Sequence, residues 1–392
     1  MENVNLFTEI DFYQNRKAGQ DICGDAFYSS KTDKTERRIA VLSDGLGSGI
    51  KANILATMTA HMAAKFVASD LDFVNSAAIM MDTLPVCQVR KISYATFTIV
   101  DCHPHGKTRI IEMDNPPYLL IRNGAVVETE KRVFVSPRWK TRKMLFSEVE
   151  TQPDDRIVVV SDGVTQAGMA TSNHPRGFGI DGLKELVLRM VKKNPLISAR
   201  ELSRQVVRQV VSIEPTGQPH DDTTCGVVYF RRPRLLLLVT GPPFERSDDV
   251  TIANAIKDFD GIKIIAGGTT AGIIGRELDR RLEMVPNKFG CDLPPTSKMD
   301  GVDLVTEGVL TLTRVAIYLE AGQVPLREDP ASLITNFLLD SDVIHLLVGS
   351  RINAAHYNPS MPKDLEIRRS LMRRIQKILE EKYLKAVTIS FI

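Results

Sequence analysis

Two apolar runs, Val41-Leu42-Ser43 and Arg156-Ile157-Val158-Val159-Val160-Ser161, each stop at an Asp-Gly pair, Asp44-Gly45 and Asp162-Gly163. Short apolar runs of this kind read as buried strands, so the chain is confined to folds in which a sheet is covered. Two further acidic motifs, Gly24-Asp25 and His220-Asp221-Asp222-Thr223-Thr224, complete a series spread over two hundred residues. Strand ends are where a sheet delivers side chains to a site, and two such endings point to one shared site. A single Asp-Gly pair is an ordinary turn, the glycine supplying a positive φ and the Asp bonding its own backbone. The number and context of the motifs distinguish this chain from that case.

Carboxylates brought within about 4 Å at an effective dielectric near 20 repel by roughly 4 kcal/mol per pair. That is a large fraction of a domain's net stability, so converging Asp side chains call for cations. Oxygen donors suit the hard ions Mg2+ and Mn2+, whereas zinc favours His and Cys. The five cysteines, at 23, 87, 102, 225 and 291, contain no Cys-x-x-Cys pair. Hard cations held by carboxylates activate a water and clamp a phosphoryl oxygen for in-line attack. Phosphomonoester hydrolysis fits such a donor set.

In their order and context the four motifs resemble the metal-dependent protein serine/threonine phosphatases (the PPM, or type 2C, superfamily), and within them the bacterial branch of stage II sporulation protein E and the stress-response phosphatases. The resemblance covers about residues 10 to 230. It implies an α+β fold, a β-sandwich flanked by helices, holding two Mn2+ or Mg2+ ions. It implies Asp44 as the bridging ligand, the Gly45 carbonyl on the second metal, Asp162 and Asp221 as the remaining ligands of the first, and Asp25 on the second metal directly or through water. Asp44, Asp162 and Asp221 would then act in catalysis through a metal-bound water, with Asp222 and His220 beside them. The implied substrate is phosphoserine or phosphothreonine in a signalling protein, such as an anti-anti-sigma-factor-like partner.

The chain also departs from the family pattern. Leu46 stands where eukaryotic members carry a His, and Met113-Asp114-Asn115-Pro116-Pro117-Tyr118 stands where this branch often has Gly-His-Pro-Pro. Arg16 or Lys17 is available for the phosphate-binding role of an N-terminal Arg. The polar, Gly-rich stretch between Gly168 and Gly182 corresponds to a flap beside the site, with His174 and Arg176 as candidate substrate contacts.

At 392 residues the chain exceeds what one core usually covers, so two domains are expected, 1–232 for the phosphatase and 233–392 for an α/β domain. In the first, helices are expected over Lys51–Val67, Ile180–Val191 and Ser198–Val211, the last with Ser198 and Glu201 as a capping box. A meander is expected over Tyr94–Val100, Thr108–Met113, Tyr118–Arg122 and Ala125–Glu130, turning at Asn123-Gly124. The second has short apolar strands at Leu235–Thr240, Lys263–Ala266, Val343–Val348 and Ala386–Ile389, separated by helical patterns, which predicts parallel strands. Its last helix spans about Lys363–Tyr383.

One loop of the second domain, Gly267-Gly268-Thr269-Thr270, joins a strand to a helix, where backbone amides can cradle a small anionic ligand. It matches neither the dinucleotide GxGxxG nor the P-loop. A formal net charge of +2 leaves no basic stripe for nucleic acid. No leader peptide or membrane span is evident, and the scattered cysteines fit a reducing cytoplasm. Cys23 and Cys225 flank proposed ligands, as core residues or as oxidation-sensitive thiols. Two other functions compete with hydrolysis: a catalytically silent phosphoprotein-binding module, and a sensor in which a ligand of the second domain gates the phosphatase.

Overall fold

The computed structural model describes residues 6–32, 37–69, 79, 95–104, 106–135, 143–285, 293–325, 329–351 and 363–392; Cys87 and Cys291 lie outside them. Internal contacts divide the chain into two compact units, Met1–Arg232 and Pro233–Ile392.

The first unit contains strands β1 (Phe7–Asn15), β2 (Asp25–Lys31), β3 (Arg38–Gly45), β4 (Ala95–Cys102), β5 (Lys107–Met113), β6 (Leu119–Arg122), β7 (Ala125–Val127), β8 (Arg132–Val135), β9 (Lys143–Glu150), β10 (Arg156–Val160) and β11 (Thr223–Arg231). They form two antiparallel sheets, ordered β1-β11-β10-β6-β7 and β2-β3-β4-β5-β9-β8. Helix α1 (Gly49–Ala68) covers one, and α2 (Gly179–Lys193) with α3 (Ala199–Val211) covers the other.

Period-two side-chain alternation explains why the apolar runs do not alternate with polar residues. On β3, Ala40 and Leu42 pack between the sheets with Ile157, Val159 and Phe230. Ile39 and Val41 point the other way, onto Ala60, Ala63 and Ala64 of α1. On β10, Val158 and Val160 meet Leu183, Val187 and Val206 of the helices. Each central strand therefore buries both faces, and the layers run helix, sheet, sheet, helix.

Local signals set the helix ends. Ser198 caps α3 by accepting the Glu201 N–H at 3.2 Å. The expected capping box is half-made, because the Glu201 carboxylate accepts from Gln205 Nε2 at 2.7 Å, one turn on. Buried Glu9 supplies a further tie: Oε1 accepts the Ala199 N–H at 3.0 Å and Oε2 accepts from Arg231 at 2.8 and 2.9 Å. One carboxylate thus joins β1, β11 and the start of α3.

The second unit contains β12 (Leu235–Thr240), α4 (Asp249–Asp258), β13 (Ile262–Ala266), α5 (Gly268–Glu277), β14 (Glu283–Val285), β15 (Thr296–Met299), β16 (Val302–Thr306), α6 (Val309–Ala321), α7 (Pro330–Asp340), β17 (Val343–Val348), α8 (Lys363–Glu381) and β18 (Ala386–Phe391). Its sheet order is β14-β15-β16-β13-β12-β17-β18. The five strands from β16 to β18 are parallel, and β14 and β15 add an antiparallel edge that the sequence pattern did not announce. Helices α4 and α5 pack on one face through Ile252, Ile256 and Ile274, and α6, α7 and α8 on the other through Leu312, Ile334 and Met372. From β12 the chain winds outward through β13 and β16, then crosses to β17 and β18 on the opposite side. This is a doubly wound α/β sheet with its switch point between β12 and β17. Among the described residues no helix is long and apolar enough to cross a membrane.

Candidate metal centre

The acids of the first unit gather at one end of the sandwich because each sits at a strand terminus. Asp25 opens β2 and Asp44 lies near the end of β3, directly opposite it in the antiparallel register. Asp162 follows β10, and Asp221 and Asp222 precede β11, the neighbour of β10 in the other sheet. Thr224 bridges the two sheets by donating from Oγ1 to Asp25 Oδ2 at 2.6 Å. Like charges opposite one another in a ladder are destabilising, so the Asp25–Asp44 pairing is not there to hold the sheet together.

Close backbone approaches fix this arrangement. A Cβ on Gly45 would lie 2.1 Å from the Ala52 carbonyl of α1, and one on Gly163 would lie 2.1 Å from the Asp222 carbonyl. A Cβ on Gly24 would fall 2.7 Å from Asp222 Oδ2. Three glycines therefore let the loops carrying Asp25, Asp44 and Asp162 close onto their neighbours. Gly47 and Gly49 hold φ of +102° and +71°, which turns the chain from the Asp44 loop into α1.

The electrostatics are those of acids crowded without enough positive charge. Burial, and then Asp222 and Asp162, push the Asp25 carboxyl up to about 7 against the hydrogen bonds from Thr224 and Ser161. Asp44 is pushed up to about 9, by burial first and then by Asp25, Asp162 and Asp221. Asp162 is raised by burial and Asp221, while hydrogen bonds from Asp44 and Gln166 oppose the shift. Asp25 is 1% exposed, and its Oδ1 has no hydrogen-bond partner. A buried acceptor left over in a cluster of carboxylates is what a bound cation would satisfy.

The donor set is open. Among the described residues no group of three or more His, Cys, Asp or Glu side chains is gathered closely enough to hold a metal ion. Mg2+ and Mn2+ fit such a set, because hard ions that part reluctantly with water need only one or two carboxylates each. The residues present therefore suit hydrated divalent cations and do not suit a closed site of the zinc type.

The raised carboxyls set a pH dependence for the metal-free protein. Unfolded Asp titrates near 3.9, so between about pH 4 and pH 9 the folded chain keeps protons that the unfolded chain has released. Stability from these groups falls as pH rises through that window. In chelator, the melting temperature of the wild type should drop relative to Asp44→Asn as pH goes from 5 to 9; a constant gap would contradict the crowding.

The family model of stage II sporulation protein E (SpoIIE) matches residues 34–231, just over half of the chain. The chain belongs to the SpoIIE family. Solved structures similar to it include the phosphatase domain of SpoIIE from Bacillus subtilis, at 15% identity over 58% of this chain and 94% of that one, TM-score 0.45. The RsbU and RsbW domains of Rv1364c from Mycobacterium tuberculosis share 15% identity over 64% and 67% of the two chains, TM-score 0.47. RsbX in complex with magnesium shares 18% over 59% and 98%, TM-score 0.38. No curated protein matches the chain.

Around the acids of this SpoIIE-family unit lie polar residues that no motif marked. Lys17 donates its N–H to Asp222 Oδ1 at 3.0 Å, and its Nζ lies 3.8 Å from Asp221 Oδ1. Arg16 instead donates to the Asp21 carbonyl at 3.0 Å. Gln166 Nε2 donates to Asp162 Oδ2 at 2.8 Å, one helical turn on. Asn115, in the stretch that departs from Gly-His-Pro-Pro, accepts from Thr96 Oγ1 and donates to Thr98 Oγ1 at 3.1 Å. Since Thr96 pairs with Asp44 across β3 and β4, Asn115 braces the strand that carries Asp44.

His220 is exposed, and Asp222 is buried behind Asp221, whose Oδ1 accepts the Asp222 N–H at 2.9 Å. In the loop after Asp162, Arg176 is exposed and His174 meets the Phe178 ring edge-on. Burial pushes the thiols of Cys23, Cys102 and Cys225 well above the ordinary range, for Cys23 with help from Asp25 and Asp222. Buried thiols held protonated are inert, which favours the core reading of Cys23 and Cys225 over oxidation sensitivity. The loop Gly267-Gly268-Thr269-Thr270 lies in the second unit, at the start of α5.

Proposed function

We propose that the first unit hydrolyses phosphoserine or phosphothreonine in a signalling protein, using two Mn2+ or Mg2+ ions held by Asp25, Asp44, the Gly45 carbonyl, Asp162 and Asp221. The observation that supports this reading most is the crowding of buried carboxyls, with the Asp25 and Asp44 carboxyls raised to about 7 and about 9, at an end where Asp25 Oδ1 has no partner. When bound, the cations supply Lewis acidity that activates a water and neutralises phosphoryl oxygens. The chain's own residues orient the ligands. Thr224 holds Asp25, Gln166 holds Asp162, and Asn115 with Thr96 holds the strand under Asp44. Lys17, a third exposed and beside Asp221, is placed to meet the phosphate of an incoming substrate. Leu46 has no proton to give to the leaving serine or threonine, a role left to exposed His220 or to a water. A phosphoprotein of the anti-anti-sigma-factor kind is the substrate class that family membership favours.

The test is hydrolysis of a phosphoserine peptide by the full chain as Mn2+ is titrated. Turnover that saturates with metal supports the reading, and metal-independent turnover, or none when calorimetry shows metal bound, overturns it. A further expectation isolates the orienting role. Thr224→Val keeps the shape of a side chain that is 0% exposed but removes the donor to Asp25. Removing such a hydrogen bond typically weakens metal binding about 10–100-fold. Calorimetric Mn2+ titration reads this directly, and unchanged affinity would exclude Asp25 from the ligand set.

A further inference from the structure

Doubly wound sheets bind ligands outside the carboxyl ends of their strands, at the point where the winding reverses. In the second unit that point lies between β12 and β17, and the loops there are drawn tightly together. A Cβ on Gly349, after β17, would lie 2.1 Å from the Pro242 carbonyl, after β12. The Gly349 N–H donates to the Thr240 carbonyl at 2.8 Å. Gly241 holds φ of +81°, and a Cβ there would fall 2.6 Å from Arg368 Nη1. Arg368, 8% exposed, thus lays its guanidinium over the junction of the two loops.

Beside it starts α5, ten residues long, whose N-cap Gly267 has no side chain with which to cap the first turn. The amides of such a turn lack partners within the helix and carry the positive end of its dipole. A Cβ built on Gly268 would meet nothing within 4 Å, so the space in front of the turn is open. Thr270 is 1% exposed, and its Oγ1 has no hydrogen-bond partner. That oxygen lies 3.3 Å from where a Cβ on Gly267 would be, so it is directed back at the N-cap. It cannot complete a reciprocal cap, because the Gly267 N–H is given to the Thr306 carbonyl at 2.8 Å. Glu307, the residue after β16, carries an Oε2 that is likewise buried without a partner, and a Cβ on its neighbour Gly308 would lie 3.6 Å from Gly267 Cα. A carboxylate beside an anion-binding turn is compatible with a ligand only if the ligand also offers a hydrogen-bond donor.

We propose that the second unit binds a small phosphorylated molecule bearing hydroxyl groups, its phosphate on the α5 amides and the Thr270 hydroxyl, with Arg368 adding positive charge and Glu307 accepting from a ligand hydroxyl. The proposal does not depend on hydrolysis by the first unit. Calorimetry on the full chain in chelator, where the acids of the first unit repel anions, tests it with inorganic phosphate and ribose 5-phosphate as probes. Both should bind saturably, ribose 5-phosphate more tightly, and Thr270→Val should weaken both about tenfold or more. Gly268→Pro removes one amide at a helix position that accepts proline, and should weaken both similarly while leaving the melting temperature within a few degrees. No saturable binding of either probe up to about 10 mM, or wild-type affinity in both variants, would overturn the site. Equal affinity for the two probes would overturn the role given to Glu307.

Discussion

Asp44→Asn should lower metal-dependent hydrolysis of a phosphoserine peptide by at least about a hundredfold and, in chelator at pH 8, raise the melting temperature. The two effects have one origin. Asp44 is raised further than Asp25, by burial and by Asp25, Asp162 and Asp221 together. A charge held at such cost is tolerable if a cation shares it, and ligation contributes several kcal/mol to transition-state stabilisation, where each 1.36 kcal/mol is tenfold in rate. Without metal, at pH 8, the folded carboxyl must instead keep a proton that the unfolded chain has released, and that uptake costs stability. Neutralising it should therefore return at least about 1 kcal/mol, or about 2–4 °C for a unit of this size. Wild-type turnover in the variant would remove Asp44 from the ligand set. An unchanged melting temperature in chelator would mean that its neighbours do not crowd it.

Gly163→Ala is expected to be among the most damaging single-methyl changes in the first unit. Its new Cβ would lie 2.1 Å from the Asp222 carbonyl and 3.2 Å from Thr223 Oγ1. Backbone, unlike a side-chain tip, cannot swing aside, so the loop bearing Asp221 and Asp222 must move away from Asp162. Overpacking of this kind costs about 1–3 kcal/mol, and the displacement also separates two proposed ligands. Thermal melts should fall by about 2–10 °C, with metal-dependent turnover lost in the fraction that remains folded. Gly272→Ala, inside α5 with no positive φ and nothing within 4 Å, is the control for glycine replacement as such. Equal behaviour of the two variants would show that the approach of Gly163 to Asp222 is not what positions the loop.

What could be read from the sequence, and what could not, divides along a physical line. The strands under Asp44 and Asp162 were legible because burial on both faces demands uninterrupted apolar residues, as in Ile39–Leu42 and Ile157–Val160. The α+β class was implied by the family resemblance, and the helices α2 and α3 followed from amphipathic spacing and the Ser198 cap. Strands β8 and β9 were missed, since Arg132–Val135 and Lys143–Glu150 mix exposed, half-buried and buried positions and leave no clean period. The register that sets Asp25 opposite Asp44 is a pairing between strands, which no local pattern encodes.

The residues around the acids were hidden for a related reason. Thr224, Gln166 and Asn115 each act through one or two hydrogen bonds, and a single polar side chain leaves no signature along the chain. Lys17 was in view only as one of two adjacent cations, and the fold separates them, sending Arg16 to a backbone carbonyl and Lys17 to Asp221 and Asp222. In the second unit, parallel strands were legible from their short apolar runs. The winding order, and with it the crevice between β12 and β17, emerged only from the pairings.

The match to the family begins at residue 34, but the sandwich begins earlier. β1 pairs along its whole length with β11, and β2 with β3, so each sheet borrows its outermost strand from the first 31 residues. An expression fragment trimmed to 34–231 would forfeit Asp25 and uncover β11 and β3 along one side each. Those are among the most apolar strands in the unit, and their bared amides and carbonyls would recruit other chains. Such a fragment should be recovered as insoluble material, and any domain dissection of this protein has to start upstream of Phe7.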